Sequence, residues 1–101
     1  MPHFCVHAFD HPGRLADRQR LREAHRARLR DHDHPIVVHI GGPLTDEEGA
    51  MIGTMLVIEA PDRTAVDSFL AGDPYFQAQL YRELTVTRFN WGLGLPEAPH
   101  G

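Results

Sequence analysis

The sequence predicts an α+β domain with the element order β-α-β-β-α-β. Three observations carry this. Apolar stretches at both ends have strand character, a long Arg- and Ala-rich stretch follows the first, and a β-branched pair of runs separated by a glycine-rich connection precedes a second, shorter helix. Length and composition fit it: 101 residues suffice for one domain and not two, and 42% apolar with 24% charged residues is globular composition. We expect residues 1–95 to form that domain and 96–101 a tail.

The first strand is expected over His3 to Phe9, with Phe4, Val6 and Ala8 on one face and Cys5, His7 and Phe9 on the other. Neither face is strongly polar, so both should be covered. Asp10-His11-Pro12-Gly13 breaks the strand. The first helix is predicted from about Arg14 to Asp31, with Leu21, His25 and Leu29 recurring every four residues and Arg18 on the same stripe. His34 before Pro35 ends it. Pro35 to Ile40 is the second strand. Gly41-Gly42-Pro43-Leu44 leaves it, a polar loop over 45–49 follows, and Gly53 to Ala60 is the third strand. Pro61 or Asp62 opens the second helix and Gly72 closes it. Asp73-Pro74 then has the form of an N-cap and N1 pair, starting a helical turn that runs to about Tyr81. Thr85 to Trp91 is the last strand. This order is the split βαβ, ferredoxin-like arrangement, with two helices on one face of an antiparallel sheet. The other face needs a cover, and a second copy of the chain packed sheet to sheet would supply it.

Charge and cysteine content exclude several classes. A formal charge of −4 disfavours binding nucleic acid by phosphate neutralisation. No apolar run approaches the roughly 20 residues that cross a bilayer, and the first residues lack a signal-peptide pattern. The single Cys5 cannot close an internal disulfide, which points to the reducing cytoplasm. All ten basic residues are Arg, so every fixed cation is a planar fork suited to bidentate carboxylate or phosphate contacts.

Three patterns could carry chemistry. Arg18, Arg22 and His25 fall on neighbouring helix positions, where guanidiniums would favour a neutral, basic imidazole by charge repulsion. The rival reading is a core histidine bonded to a backbone carbonyl with both arginines in solvent. Gly41-Gly42 lets backbone N–H groups approach a ligand, or is a tight strand exit needing only positive φ. Asp73 either caps its own helix or reaches His25 as an orienting partner. Neither metal nor organic cofactor is expected. His3 and His7 share a strand face but lie over 13 Å apart at roughly 3.3 Å per residue, the Asp31–His34 stretch has no fold-independent reason to converge, and no HExxH or CxxC spacing occurs.

Taken together, the patterns resemble the YciI-like, or YCII-related, family across nearly the whole chain. The resemblance rests on a first strand ending in Asp10, the Arg18/Arg22/His25 helix, Gly42-Pro43-Leu44, Gly53-Thr54, Asp73-Pro74-Tyr75 and a final strand reaching Phe89. It implies a ferredoxin-like fold that dimerises as an α+β barrel, similar in architecture to muconolactone isomerase, with a His-Asp pair in a cleft. By position that pair is His25 and Asp73. Arg18, Arg22, Gly41, Gly42, Thr54 and Tyr75 would bind the ligand. Thr54 stands where relatives often carry Ser, and Glu23-Ala24 where some carry Pro. One branch of the family is a dehydrochlorinase of a chlorinated hydroxyhydroquinone. The expectation is therefore an enzyme without cofactor, a lyase, isomerase or dehydrochlorinase, acting by general acid/base chemistry on a small polar or aromatic, anionic compound. The alternatives are a non-catalytic metabolite-binding dimer and a purely structural dimer.

Overall fold

In the computed structural model of the chain, residues 1–94 are described; the expected tail lies outside them. The elements run β1 (His3–Asp10), α1 (Leu15–Arg30), β2 (Val37–Thr45), β3 (Met51–Glu59), α2 (Arg63–Ala71), α3 (Pro74–Gln77) and β4 (Tyr81–Phe89). One four-stranded antiparallel sheet has the order β2-β3-β1-β4. This is the ferredoxin-like α+β fold that the order of apolar runs predicts.

The alternation of β1 holds: Phe4, Val6 and Ala8 are buried, opposite Ile58, Leu56 and Thr54 of β3. Phe4, Val6, Leu56 and Ile58 form the apolar core with Ile36, Ala60 and the α2 residues Val66, Phe69 and Leu70. Asp62 caps α2 by accepting from Ala65 N at 2.9 Å, which settles the choice between Pro61 and Asp62 as its opening residue.

The other helix is held differently. The two buried residues of α1 are Arg18 and His25, while Leu21 and Leu29 are only half-buried. Guanidiniums tie α1 to its surroundings. Arg14 Nη2 donates to Ala78 O at 3.1 Å. Arg28 Nη1 donates to Phe69 O at 2.7 Å, with its Cζ 4.4 Å from the centroid of the Phe69 ring. A planar, multiply donating cation can cover apolar surface and satisfy carbonyls at once, which a lysine cannot do.

Several boundaries differ from the sequence reading. Gly41 to Leu44 do not leave the sheet; they continue β2, with Gly41 opposite Leu56 and Pro43 opposite Thr54. Pro43 is tolerated because β2 is an edge strand. Positive φ is found at Gly13, Gly49 and Gly94 rather than at Gly41 or Gly42, so a left-handed turn is not what these two supply. At Gly41 the requirement is space: a Cβ there would lie 2.7 Å from Leu56 Cδ2 and 3.5 Å from Leu29 Cδ1. A Cβ at Gly53 would strike the carbonyl oxygen of Ala8 across the ladder. Finally, α3 is a single turn. Gln79, at φ 55°, reverses the chain, and Tyr81 opens β4 instead of closing a helix, while β4 ends at Phe89 rather than Trp91. No helix among the described residues is long and apolar enough to cross a membrane.

Candidate active site

Asp73 ends the link from α2 and stands at the N-cap of α3 in extended backbone, φ −70° and ψ 132°. The cap reading predicts that its carboxylate accepts from the helix start, yet the side chain makes no such bond. Pro74 has no N–H to offer, and the main-chain oxygen of Asp73 serves Gln77 N at 2.9 Å. The carboxylate turns instead to another helix, and its Oδ1 lies 2.6 Å from Nδ1 of His25. The side chains are 4% and 7% exposed, so solvent scarcely competes for this contact. His25 is thus bonded to a carboxylate and not, as the rival reading had it, to a backbone carbonyl. The Tyr75 ring stacks on the imidazole, with centroids 4.0 Å apart and planes at 20°. Its hydroxyl donates to Arg18 O at 3.4 Å.

A second buried cluster adjoins the first. Arg18 donates through Nε and Nη2 to the two carboxylate oxygens of Asp10, at 2.6 and 2.9 Å. Nη2 also reaches Thr54 Oγ1 at 2.7 Å. The Tyr81 hydroxyl donates to the same Oγ1 at 3.0 Å. Burial pulls the Arg18 pKa down, and the hydrogen bonds and charge of Asp10 outweigh this, so the net direction is up. Burial raises both tyrosines, Tyr81 far above the ordinary phenol value, and the Asp73 carboxylate adds to each. Both stay protonated donors at neutral pH. Arg18 is therefore not the solvent-exposed cation of the rival reading; its charge is matched by Asp10.

Beside these clusters, between α1 and the β2–β3 edge, opens a cavity of about 320 Å³. Arg18, Arg22, His25, Gly41, Gly42, Thr54 and Tyr75 line it, with Asp73 behind His25. All the residues singled out in the sequence thus meet at one place. With Nδ1 held by Asp73, the Nε2 of His25 makes no hydrogen bond among the described residues. The cavity is also lined by Arg26 and Arg30. With Arg22 they form a row at i, i+4 and i+8 on α1, and none of the three has an ion-pair partner among the described residues. Sequence reasoning missed Arg26 and Arg30, although the spacing that found Arg18 and Arg22 would have found them. It also gave no site role to Asp10, named only as the end of the first strand, or to Tyr81, because their contacts with Arg18 and Thr54 cross between elements.

Fold and site together define a small ferredoxin-like α+β domain with a buried imidazole–carboxylate pair at the wall of a cavity. The chain belongs to the YCII-related family, whose domain matches residues 2–90. No curated protein matches it. Among solved structures it is similar to 5-chloro-2-hydroxyhydroquinone dehydrochlorinase (TftG) from Burkholderia phenoliruptrix AC1100, solved in complex with 2,5-dihydroxybenzoquinone. That likeness has 29% identity and a TM-score of 0.78 over 89% of this chain and 95% of the other. SnoaB, a cofactor-independent oxygenase from Streptomyces nogalater, shares the fold at 17% identity and TM-score 0.57, over 94% of this chain and 96% of its own. Rv0793 from Mycobacterium tuberculosis does so at 17% and 0.52, over 95% and 96%.

Proposed function

We propose that this protein is an acid/base enzyme acting on a small anionic or polyhydroxylated aromatic compound, by elimination, isomerisation or dehydrochlorination. The observation that carries the reading is His25, with Nδ1 committed to Asp73 and Nε2 unspent at a cavity edged by three unpaired guanidiniums. The similarity to a dehydrochlorinase supports the reaction class.

In this mechanism Nε2 takes a proton from an acidic O–H or C–H of the substrate. The electron pair left behind moves into the conjugated ring and expels the leaving anion, or reprotonates elsewhere in an isomerisation. Asp73 holds the ring tautomer and stabilises the imidazolium, which then returns its proton to water or product. Arg22 and Arg26 hold the anionic oxygen of the substrate. Thr54 already accepts from Arg18 and Tyr81, so both of its acceptor positions are used and it meets the ligand as a donor. Tyr75 and Gly41-Gly42 complete the wall. This chemistry needs no group beyond the side chains named.

A second copy of the chain would cover the sheet face opposite the helices. Cys5, Phe9 and Met55 lie there half-buried, as in the dimeric α+β barrel arrangement to which the fold belongs. The unpaired thiol of Cys5 suits the cytoplasm.

The test is chloride release from 5-chloro-2-hydroxyhydroquinone by the wild-type protein and by His25→Ala, alongside binding of 2,5-dihydroxybenzoquinone. Turnover that depends on His25 supports the enzyme. Binding with stabilisation and no consumption of either compound would make the protein a metabolite-binding module.

A further inference from the structure

On the sheet face opposite the helices, at the end where β1 begins and β3 ends, three metal-ligating side chains converge, one of them, His39, also lining the cavity described above. His3 opens β1, Glu59 ends β3 directly opposite it in the ladder, and His39 sits at the irregularity between Val38 and Ile40 of β2. One nitrogen from each histidine and one carboxylate oxygen all lie within 4.8 Å of one another. His39 Nε2 is 2.8 Å from Glu59 Oε1, and His3 Nε2 is 3.7 Å from the same oxygen.

We propose that His3, His39 and Glu59 form a binding site for a divalent transition-metal ion of zinc type. Two imidazoles and one carboxylate are the donor set of open zinc sites, which keep a fourth position for water or ligand. Bonds of 2.0–2.1 Å in tetrahedral geometry place donor atoms about 3.4 Å apart. The present separations bracket that value, so side-chain adjustment alone closes the site. The scaffold is rigid where it matters: His3 and Glu59 are a cross-strand pair on the two central strands, and a bulge is the device that re-aims a strand residue such as His39. The ion has an entry path, since a groove of about 430 Å³ lined by Met1, Pro2, His3, Arg88, Phe89 and Trp91 opens beside the cluster.

The ligands come from three separate strands, so no spacing in the sequence marks them. That is why inspection of the histidines, including the His3–His7 pair, leads to no metal. The site also carries its own reporter. The chain's one tryptophan, Trp91, stands edge-on to His3 and His39 with centroids 6.1 and 6.4 Å away.

The experiment is calorimetric titration of the full metal-free chain with zinc chloride, with nickel quenching of Trp91 fluorescence as a positional readout. Wild type, His39→Ala, Glu59→Gln and, as a control on the other histidine-rich stretch, His34→Ala are compared. The expected result is one zinc per chain, affinity lowered at least tenfold in both His39→Ala and Glu59→Gln, full affinity in His34→Ala, and Trp91 quenching that disappears with the affinity. A tenfold loss is the lower end of what even an outer-shell change costs a metal site. His39 lies on the edge strand, so His39→Ala remains informative should Glu59→Gln not fold. No zinc binding, undiminished affinity in His39→Ala, or loss of affinity in His34→Ala would each overturn the proposal.

Discussion

Arg18 and His25 are the two buried residues of α1, two turns apart on one face, and they have opposite fates. Arg18 is matched on every side the structure records: a bidentate carboxylate, a hydroxyl and the face of the Tyr75 ring. His25 is matched on one ring nitrogen only, and the other is left beside the cavity. A buried ionic group satisfied by its neighbours stabilises an arrangement; one with an unspent donor or acceptor at an accessible wall can react. The two residues look alike in sequence, and the number of partners each finds is what separates scaffold from chemistry.

The contrast can be broken in order of expected effect. His25→Asn, whose amide can still donate to the buried Asp73 carboxylate but offers no Nε2, should lower turnover about 10²- to 10⁴-fold, roughly 2.7–5.4 kcal/mol of barrier, with the thermal midpoint little changed. Steady-state kinetics and calorimetry on one preparation read both. Arg18→Met should do the reverse. It strands the Asp10 carboxylate in the interior and costs about 3–5 kcal/mol of stability by denaturant unfolding; if it leaves stability intact and removes turnover, the division drawn here is wrong. Tyr81→Phe removes one buried hydrogen bond to Thr54 and should cost about 0.5–1.5 kcal/mol.

The same residue gives a pH signature. The folded Tyr81 pKa lies above its unfolded value of 10.0, so the unfolded chain loses that proton first. The stabilisation is complete below pH 10 and is lost as pH rises from there toward the folded value. Ultraviolet tyrosinate absorbance should rise together with alkaline unfolding, and the unfolding should become less steep in Tyr81→Phe. Arg26→Gln should raise KM for an anionic aromatic substrate about two- to fivefold, the size of a solvent-exposed ion pair, with kcat held. At the small end, Asp67→Ala breaks an exposed i,i+4 pair with Arg63 and should move stability by less than about 0.5 kcal/mol.

How legible was each region beforehand? The alternation of β1, the Asp62 cap and the apolar face of α2 are local signals, and the structure keeps them. The boundaries that moved were set by non-local pairing. Gly41 to Leu44 carry turn residues, yet the ladder with β3 extends through them because β2 is an edge where Pro43 costs nothing. Tyr81 sits within helical spacing of Pro74, yet the reversal at Gln79 delivers it to β4. Asp73 is the instructive case. Asp before Pro has every mark of a helix cap, but an imidazole from another helix claims the carboxylate.

By itself, then, the sequence settled which residue types face inward and in what order strands and helices follow, because those depend on periodicity and on conformational preferences that act over a few residues. It also named His25 and Asp73 as candidates. The tertiary structure alone decided that the two touch, that Asp10 pairs with Arg18, that Arg22, Arg26 and Arg30 share a cavity, and that His3, His39 and Glu59 gather on another face. Each of these depends on strand register and helix placement, which arise from packing the whole chain at once.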